Sequence, residues 1–295
     1  MKKLLRLFPI LCLLFFGVLT VWAEQAQEII QKLPTGQINW SYGILNTQGS
    51  FPLDFNIAEK PDISLAAKTD LARRQITPFV VENLALIKIN ARQYVSDLIM
   101  QDAGIRSKLA EMAAMAAVTL FKEHPDGTVD ISVQMKLNGG FAQLILPLEI
   151  KQVETIRAVS NNSIQGETPR NQNLLGPSAQ IDHETYTGLI VDARGIGAKP
   201  ALVPVLLAEN GKEVYGPAFI SREYAVHNGV CNYVRSLKDA EQQRTGTKPL
   251  FVKGLRTAEE RDCDIIISDA DASILHGTSA HLTFMKQCRV TIIID

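Results

Sequence analysis

Along the chain, hydrophobic and polar residues alternate with period two in some stretches and recur every three to four residues in others. The sharpest alternation is TVDISVQMKL, in which Val129, Ile131, Val133, Met135 and Leu137 share one side. VTLFKEH precedes it across Pro125-Asp126-Gly127, and two such runs joined by an Asp-Gly turn predict a β-hairpin. GQINWSYGILNTQGS alternates around Gly43 and predicts two short strands. Over residues 62–87, Ala72, Ile76, Phe79, Val80, Leu84 and Ile87 fall on one face at helical spacing, with Ser64 placed to cap. Pro78 interrupts this stripe, so a kink about one turn upstream is expected. IRSKLAEMAAMAA (105–117) predicts more helix, EQAQEIIQKL (24–33) predicts a short helix stopped by Pro34, and the apolar run FAQLILPLEI closes the region near residue 150. A helix packed on a small antiparallel sheet, an α+β domain, accounts for residues 24–150.

The pattern breaks at residues 151–183, where NNSIQGETPRNQNLLGPSAQ is rich in Asn, Gln, Gly and Pro and reads as a flexible linker. Apolar runs return over 184–295. VPVLLAENGKEVYGP reads as strand, Asn-Gly turn, strand. GVCNYVR, PLFVKGL, Asp264–Ser268 and Arg289–Asp295 read as further strands, with helices starting at Ser236 and over SAHLTFMKQ. Mixed strands and helices predict a second, mixed α/β domain.

The first residues stand apart. Lys2, Lys3 and Arg6 precede an apolar run that ends at Val21-Trp22-Ala23, the pattern of a secretory signal peptide (residues 1–23) cut after Ala23. The alternative is an uncleaved anchor, since the 17 residues from Leu7 to Ala23 are at the lower edge for spanning a bilayer. Leu11 before Cys12 argues against lipid attachment there. Export permits one disulfide among Cys231, Cys263 and Cys288, with Cys263 and Cys288 each ahead of a strand; the other reading is three small buried residues. A hydrophobic fraction of 46% and a net charge of −1 exclude a largely disordered chain and any global field for nucleic acid.

The most loop-like chemistry is TGLIVDARGIGAKP (187–200). A dinucleotide fingerprint needs a third glycine where Pro200 stands, and a P-loop needs Ser or Thr after Lys199. Gly195 and Gly197 therefore read as positions with left-handed backbone between two strands, and Asp192 with Arg194 as a salt bridge or solvated loop. Asp269, Asp271 and Ser273, with His276 and His281 nearby, could hold a divalent metal or simply cap a helix. Cys231 near His227 suggests a thiol nucleophile or plain packing. No Gly-x-Ser-x-Gly elbow occurs. This reading assigns no catalytic, cofactor-binding or metal-binding residue and no small-molecule ligand.

The segment LAAKTDLARRQITPFVVENLALIKINARQYVSDLI, with its paired Arg73-Arg74, and the Asp126-Gly-Thr-Val-Asp-Ile hairpin resemble a known family. It is the domain shared by the LPP-twenty lipoproteins, FlgP and the N-terminal part of FlgT; GQINWSYGILNTQG resembles its opening strands, and the likeness covers about residues 36–150. TGLIVDARGIGAKPALVP and ENGKEVYG resemble an extension carried by some exported bacterial members. The resemblance implies a structural α+β domain on the periplasmic side of the outer membrane, in rings or discs around the flagellar rod. The expectation is an exported, non-enzymatic cell-envelope protein in a multi-subunit assembly, a homo-oligomer with outer-membrane or flagellar partners. The alternatives are a periplasmic module holding a small ligand near the 192–199 turn, and a metal-dependent enzyme using Asp269, Asp271 and His276.

Overall fold

The computed structural model describes residues 27–52, 64–151, 185–240 and 244–295. The predicted signal peptide and nearly all of the predicted linker lie outside these residues.

The N-terminal half opens with strands β1 (Ile30–Leu33), β2 (Gly36–Asn39) and β3 (Ile44–Pro52), an antiparallel meander. The helix expected over 24–33 is therefore replaced by strand at 30–33. Leu33 pairs with Gly36 across Pro34-Thr35, a two-residue turn, and the Trp40 indole N–H fixes the register by donating to Gln31 Oε1 at 2.8 Å. Gly36 is required where it stands, because a Cβ there would lie 2.0 Å from the Asn46 carbonyl oxygen.

Next come helix α1 (Leu65–Ala85), strands β4 (Lys88–Asn90) and β5 (Gln93–Tyr94), and helices α2 (Val95–Gln101) and α3 (Ala103–Ala114). The hairpin β6 (Ala117–Glu123) and β7 (Thr128–Lys136) follows, then helix α4 (Gly140–Ile145). The sheet order is β1-β2-β3-β7-β6, with β3 and β7 paired from Ile44↔Lys136 to Pro52↔Thr128. Ser64 caps α1 as expected, its hydroxyl accepting from the Ala67 N–H. The α1 stripe (Ala72, Ile76, Val80 and Leu84) is buried in the same core as Val129, Ile131 and Val133. Phe79 is half-buried, its ring 5.5 Å from that of Phe51, and Asn83 Nδ2 donates to Thr47 Oγ1 within the core. The helix continues through Pro78 without a break. Pro78 is exposed, so the carbonyl deprived of its N–H partner one turn earlier can turn to water.

The C-terminal half holds strands β8 (Gly188–Asp192), β9 (Leu206–Ala208) and β10 (Glu213–Tyr215), helix α5 (Arg222–Asn228), strand β11 (Asn232–Val234) and helix α6 (Leu237–Ala240). Strands β12 (Pro249–Lys253), β13 (Arg256–Ala258) and β14 (Arg261–Ile267), helices α7 (Asp269–His276) and α8 (Ser279–Lys286), and strand β15 (Val290–Ile293) complete it. One sheet, β11-β15-β8-β12, is wholly parallel; the other, β10-β9-β14-β13, is mixed. Leu189, Ile190 and Val191 on β8 are buried on both faces, which explains their unbroken apolar run. The fold class is α+β, with an antiparallel sheet first and parallel and mixed sheets after it.

The two halves share one hydrophobic core that runs from Ile29 to Ile294. Backbone bonds cross between them: Leu202 N to Lys88 O (3.0 Å), Val203 N to Ile89 O (2.7 Å) and Gly139 N to Val226 O (2.7 Å). No helix among the described residues is long and apolar enough to cross a membrane.

Candidate functional site

A wholly parallel sheet gathers the loops after its strands at one end, and ligands of such sheets bind in the crevice there. Here β8 ends at Asp192, β11 at Val234, β12 at Lys253 and β15 at Ile293.

Asp192 organises the rim. Arg194 donates to its carboxylate through Nε (2.8 Å) and Nη2 (3.0 Å), and Lys253 Nζ lies at 3.2 Å. The Arg194 hydrogen bonds hold the Asp192 carboxyl well below the usual carboxylate range, against the opposing effect of burial, with Lys253 adding to the depression. The salt bridge expected between Asp192 and Arg194 is thus present.

The glycines beside it do the backbone work anticipated for them, with φ of +79° at Gly195 and +70° at Gly197. The turn also contacts an anion, and it belongs to the chain itself: the Gly195 N–H donates to Asp295 Oδ2 at 2.8 Å. The turn is followed by extended chain leading to β9 rather than by a helix, so the dinucleotide geometry is missing for the reason read from Pro200.

Below the turn lies a cleft of 450 Å³ with walls from both halves. The segment Gly197–Pro200, Arg235, Ile294 and Asp295 form one side. Ile29, Ile30, Trp40, Lys88 and Tyr94 form much of the other. Lys88 is ion-paired with Asp262 across the halves, and its ammonium stands 5.8 Å from the centre of the Tyr94 ring. Burial works against the Lys88 charge, but the Asp262 hydrogen bond and nearby charges outweigh it and raise its pKa. Tyr233 pins the loop from below: its hydroxyl donates to Ala201 O (2.9 Å) and accepts from Ala201 N (3.0 Å). Tyr233 also packs edge-on against Trp40 at 6.0 Å between ring centroids.

The other residues singled out from the sequence are not brought together. Asp269 and Asp271 begin α7, where Asp271 Oδ2 accepts from the Ser268 hydroxyl and Asp269 Oδ1 from the Asn210 N–H. His276 Nε2 bonds to Val214 O, and buried His281 is spent between Ile274 O and the Tyr186 N–H. Among the described residues no three such side chains are placed to hold a metal, and Asp269, Asp271 and His276 are engaged in helix capping and packing. The Cys263–Cys288 bridge is corrected. Cys231, Cys263 and Cys288 are all free thiols: Cys263 lies within β14 of the mixed sheet, whereas Cys288 precedes β15 of the parallel one. Burial pushes the Cys231 thiol up to about 12, which disarms it as a nucleophile, and His227 turns its Nδ1 to Glu223 O. What sequence reading missed is the cationic cleft itself. Lys88, Lys199 and Arg235 are far apart along the chain, and only Lys199 stood in a stretch already marked as a loop.

The fold and cleft define an α+β protein whose parallel sheet opens onto a crevice shared with its N-terminal half. Residues 188–295 match a family described as Treponema pallidum Tp0624, second domain. No curated protein matches the chain.

Proposed function

We propose that this is an exported, non-enzymatic cell-envelope protein that contributes to a multi-subunit assembly, periplasmic and associated with the outer membrane. A flagellar collar is one assembly of that kind. The observation that carries the reading is β6, the outer strand of the five-stranded sheet, paired with β7 on one side only among the described residues. A register shift between Val118 and Leu120 marks a bulge, and Leu120 is left 49% exposed on this edge. An open edge is a template for pairing with another chain, here a second copy. Support also comes from the LPP-twenty-like pattern at residues 36–150, whose helix and hairpin are built as α1 packed on β3 and β7.

Sedimentation of the purified protein tests this. The wild type is expected as an oligomer well above the 32.5 kDa of one chain, and Leu120→Lys as a monomer with an unchanged melting temperature. A wild-type monomer at 100 μM, the order of concentration at which weak edge pairing shows, would overturn the proposal.

A second reading, a module that holds a small ligand, is favoured by a separate observation. The 450 Å³ cleft lies at the carboxyl ends of a parallel sheet, within the size range of small-molecule sites.

A further inference from the structure

Resting on that second reading, we infer that the cleft selects a small organic anion with an apolar body, such as an aromatic carboxylate. The argument is a charge inventory of its walls. Five charged side chains line it: Lys88, Lys199, Arg235, Asp262 and Asp295. Both carboxylates are already engaged. Asp262 takes the Lys88 ammonium, and Asp295 takes the Gly195 N–H while facing the Arg194 guanidinium. The two remaining cations lack a carboxylate partner among the described residues. Half-buried Arg235 makes one long hydrogen bond, from Nε to Glu28 O at 3.4 Å, and the Lys199 ammonium makes none.

A half-buried guanidinium without a carboxylate is poised for bidentate recognition of a carboxylate or phosphate, with the lysine as a second point charge. Apart from Gln31, the remaining side chains of the wall are apolar or aromatic. Ile29, Ile294 and Trp40 line it, each at most 5% exposed, and Trp40 is held in place by its bond to Gln31. A cation would meet Lys199 and Arg235 unshielded. A neutral ligand would leave both without a partner. A ligand with a negative head and an apolar body satisfies the two cations and covers the ring.

Trp40 supplies the readout. The sequence holds two tryptophans, so Trp22→Phe in the full chain leaves Trp40 alone to report on the cleft. Its emission is followed during titration with benzoate, benzyl alcohol and benzylamine, three probes of similar size and opposite or zero charge. Benzoate is expected to bind at least ten times more tightly than benzyl alcohol, and benzylamine most weakly. The pair Lys199→Ala and Arg235→Ala is expected to weaken benzoate at least tenfold, leave benzyl alcohol unchanged and keep the melting temperature. Equal binding of benzoate and benzyl alcohol would overturn the anion inference while leaving a ligand-binding cleft. No response to any probe at 50 mM, a concentration far above that at which weak fragments bind, would overturn both.

Discussion

Protonating Asp192 loosens two cations at once, because Arg194 and Lys253 share its carboxylate. The folded-state pKa lies below that of the unfolded chain, so the stabilisation is fully present above about pH 4 and is lost as pH falls through and below that value. The site is partly exposed, with the Asp192 side chain at 29% and Arg194 at 46%, so the pairing contributes only about 1 kcal/mol. Asp192→Asn should therefore lower the melting temperature by about 2–4 °C at pH 7. The gap to wild type should narrow steadily as the pH drops from 4 toward 2.5, within the range where aspartate titrates. A gap that stays constant over that range in thermal melts would show that the pairing does not stabilise the fold. This ion pair was legible in the sequence because its partners are two residues apart on a turn that the glycines already marked. Lys88 and Asp262 pair across 174 positions, and nothing in the local pattern of either residue points to the other.

Helix α4 has six residues, too few to stand alone, and an arginine from the other half closes its C-terminal end. Arg222 Nη2 donates to Gln143 O at 2.8 Å and Nη1 to Pro147 O at 2.9 Å, with both nitrogens 3.3 Å from Leu146 O. The Gln143 and Leu146 carbonyls are acceptors at the helix end, Pro147 follows the cap, and the cation also complements the negative end of the dipole. Removing it with Arg222→Ala should cost about 2–3 kcal/mol and lower the melting temperature by about 5–10 °C. Arg222→Lys should recover less than half of that, because an ammonium cannot span three carbonyls as a planar fork does. Differential scanning fluorimetry decides, and an alanine variant within 1 °C of wild type, a change expected only of neutral surface sites, would refute the clamp. The elements that were legible are those with many turns or clear alternation: α1, the β6–β7 hairpin and the β9–β10 hairpin. Helices α4 and α5 went unread because their helicity comes from tertiary partners. Residues 30–33 were misread because EQAQEIIQKL favours helix locally, while pairing with β2 makes them strand. The start of α7 was weighed as a metal cluster because Ser and Asp serve caps and ligands alike.

At the scale of the whole molecule, two apolar patterns separated by a polar stretch read as two domains on a flexible joint, and the described residues of the two halves share one hydrophobic core. The seam is made by short segments with no pattern of their own. Leu202 and Val203 lie along β4, their N–H groups donating to Lys88 O and Ile89 O, and Ile89 and Val203 are at most 1% exposed. Such a seam is invisible to periodicity because it pairs two residues with two, far apart in the chain. It couples the stability of the halves, since opening it would expose Ile89, Trp40 and Val203 together. Calorimetry of the whole chain should therefore show one transition, with van't Hoff and calorimetric enthalpies agreeing. Val203→Asp places a charge in that shared core, and should cost at least about 3 kcal/mol and shift the single peak without splitting it. Two resolved transitions in the wild type, or a variant that melts only one half, would mean that the halves are separate domains in contact. The cleft would then open by their relative motion. With a single transition, a ligand in the cleft stabilises both halves together.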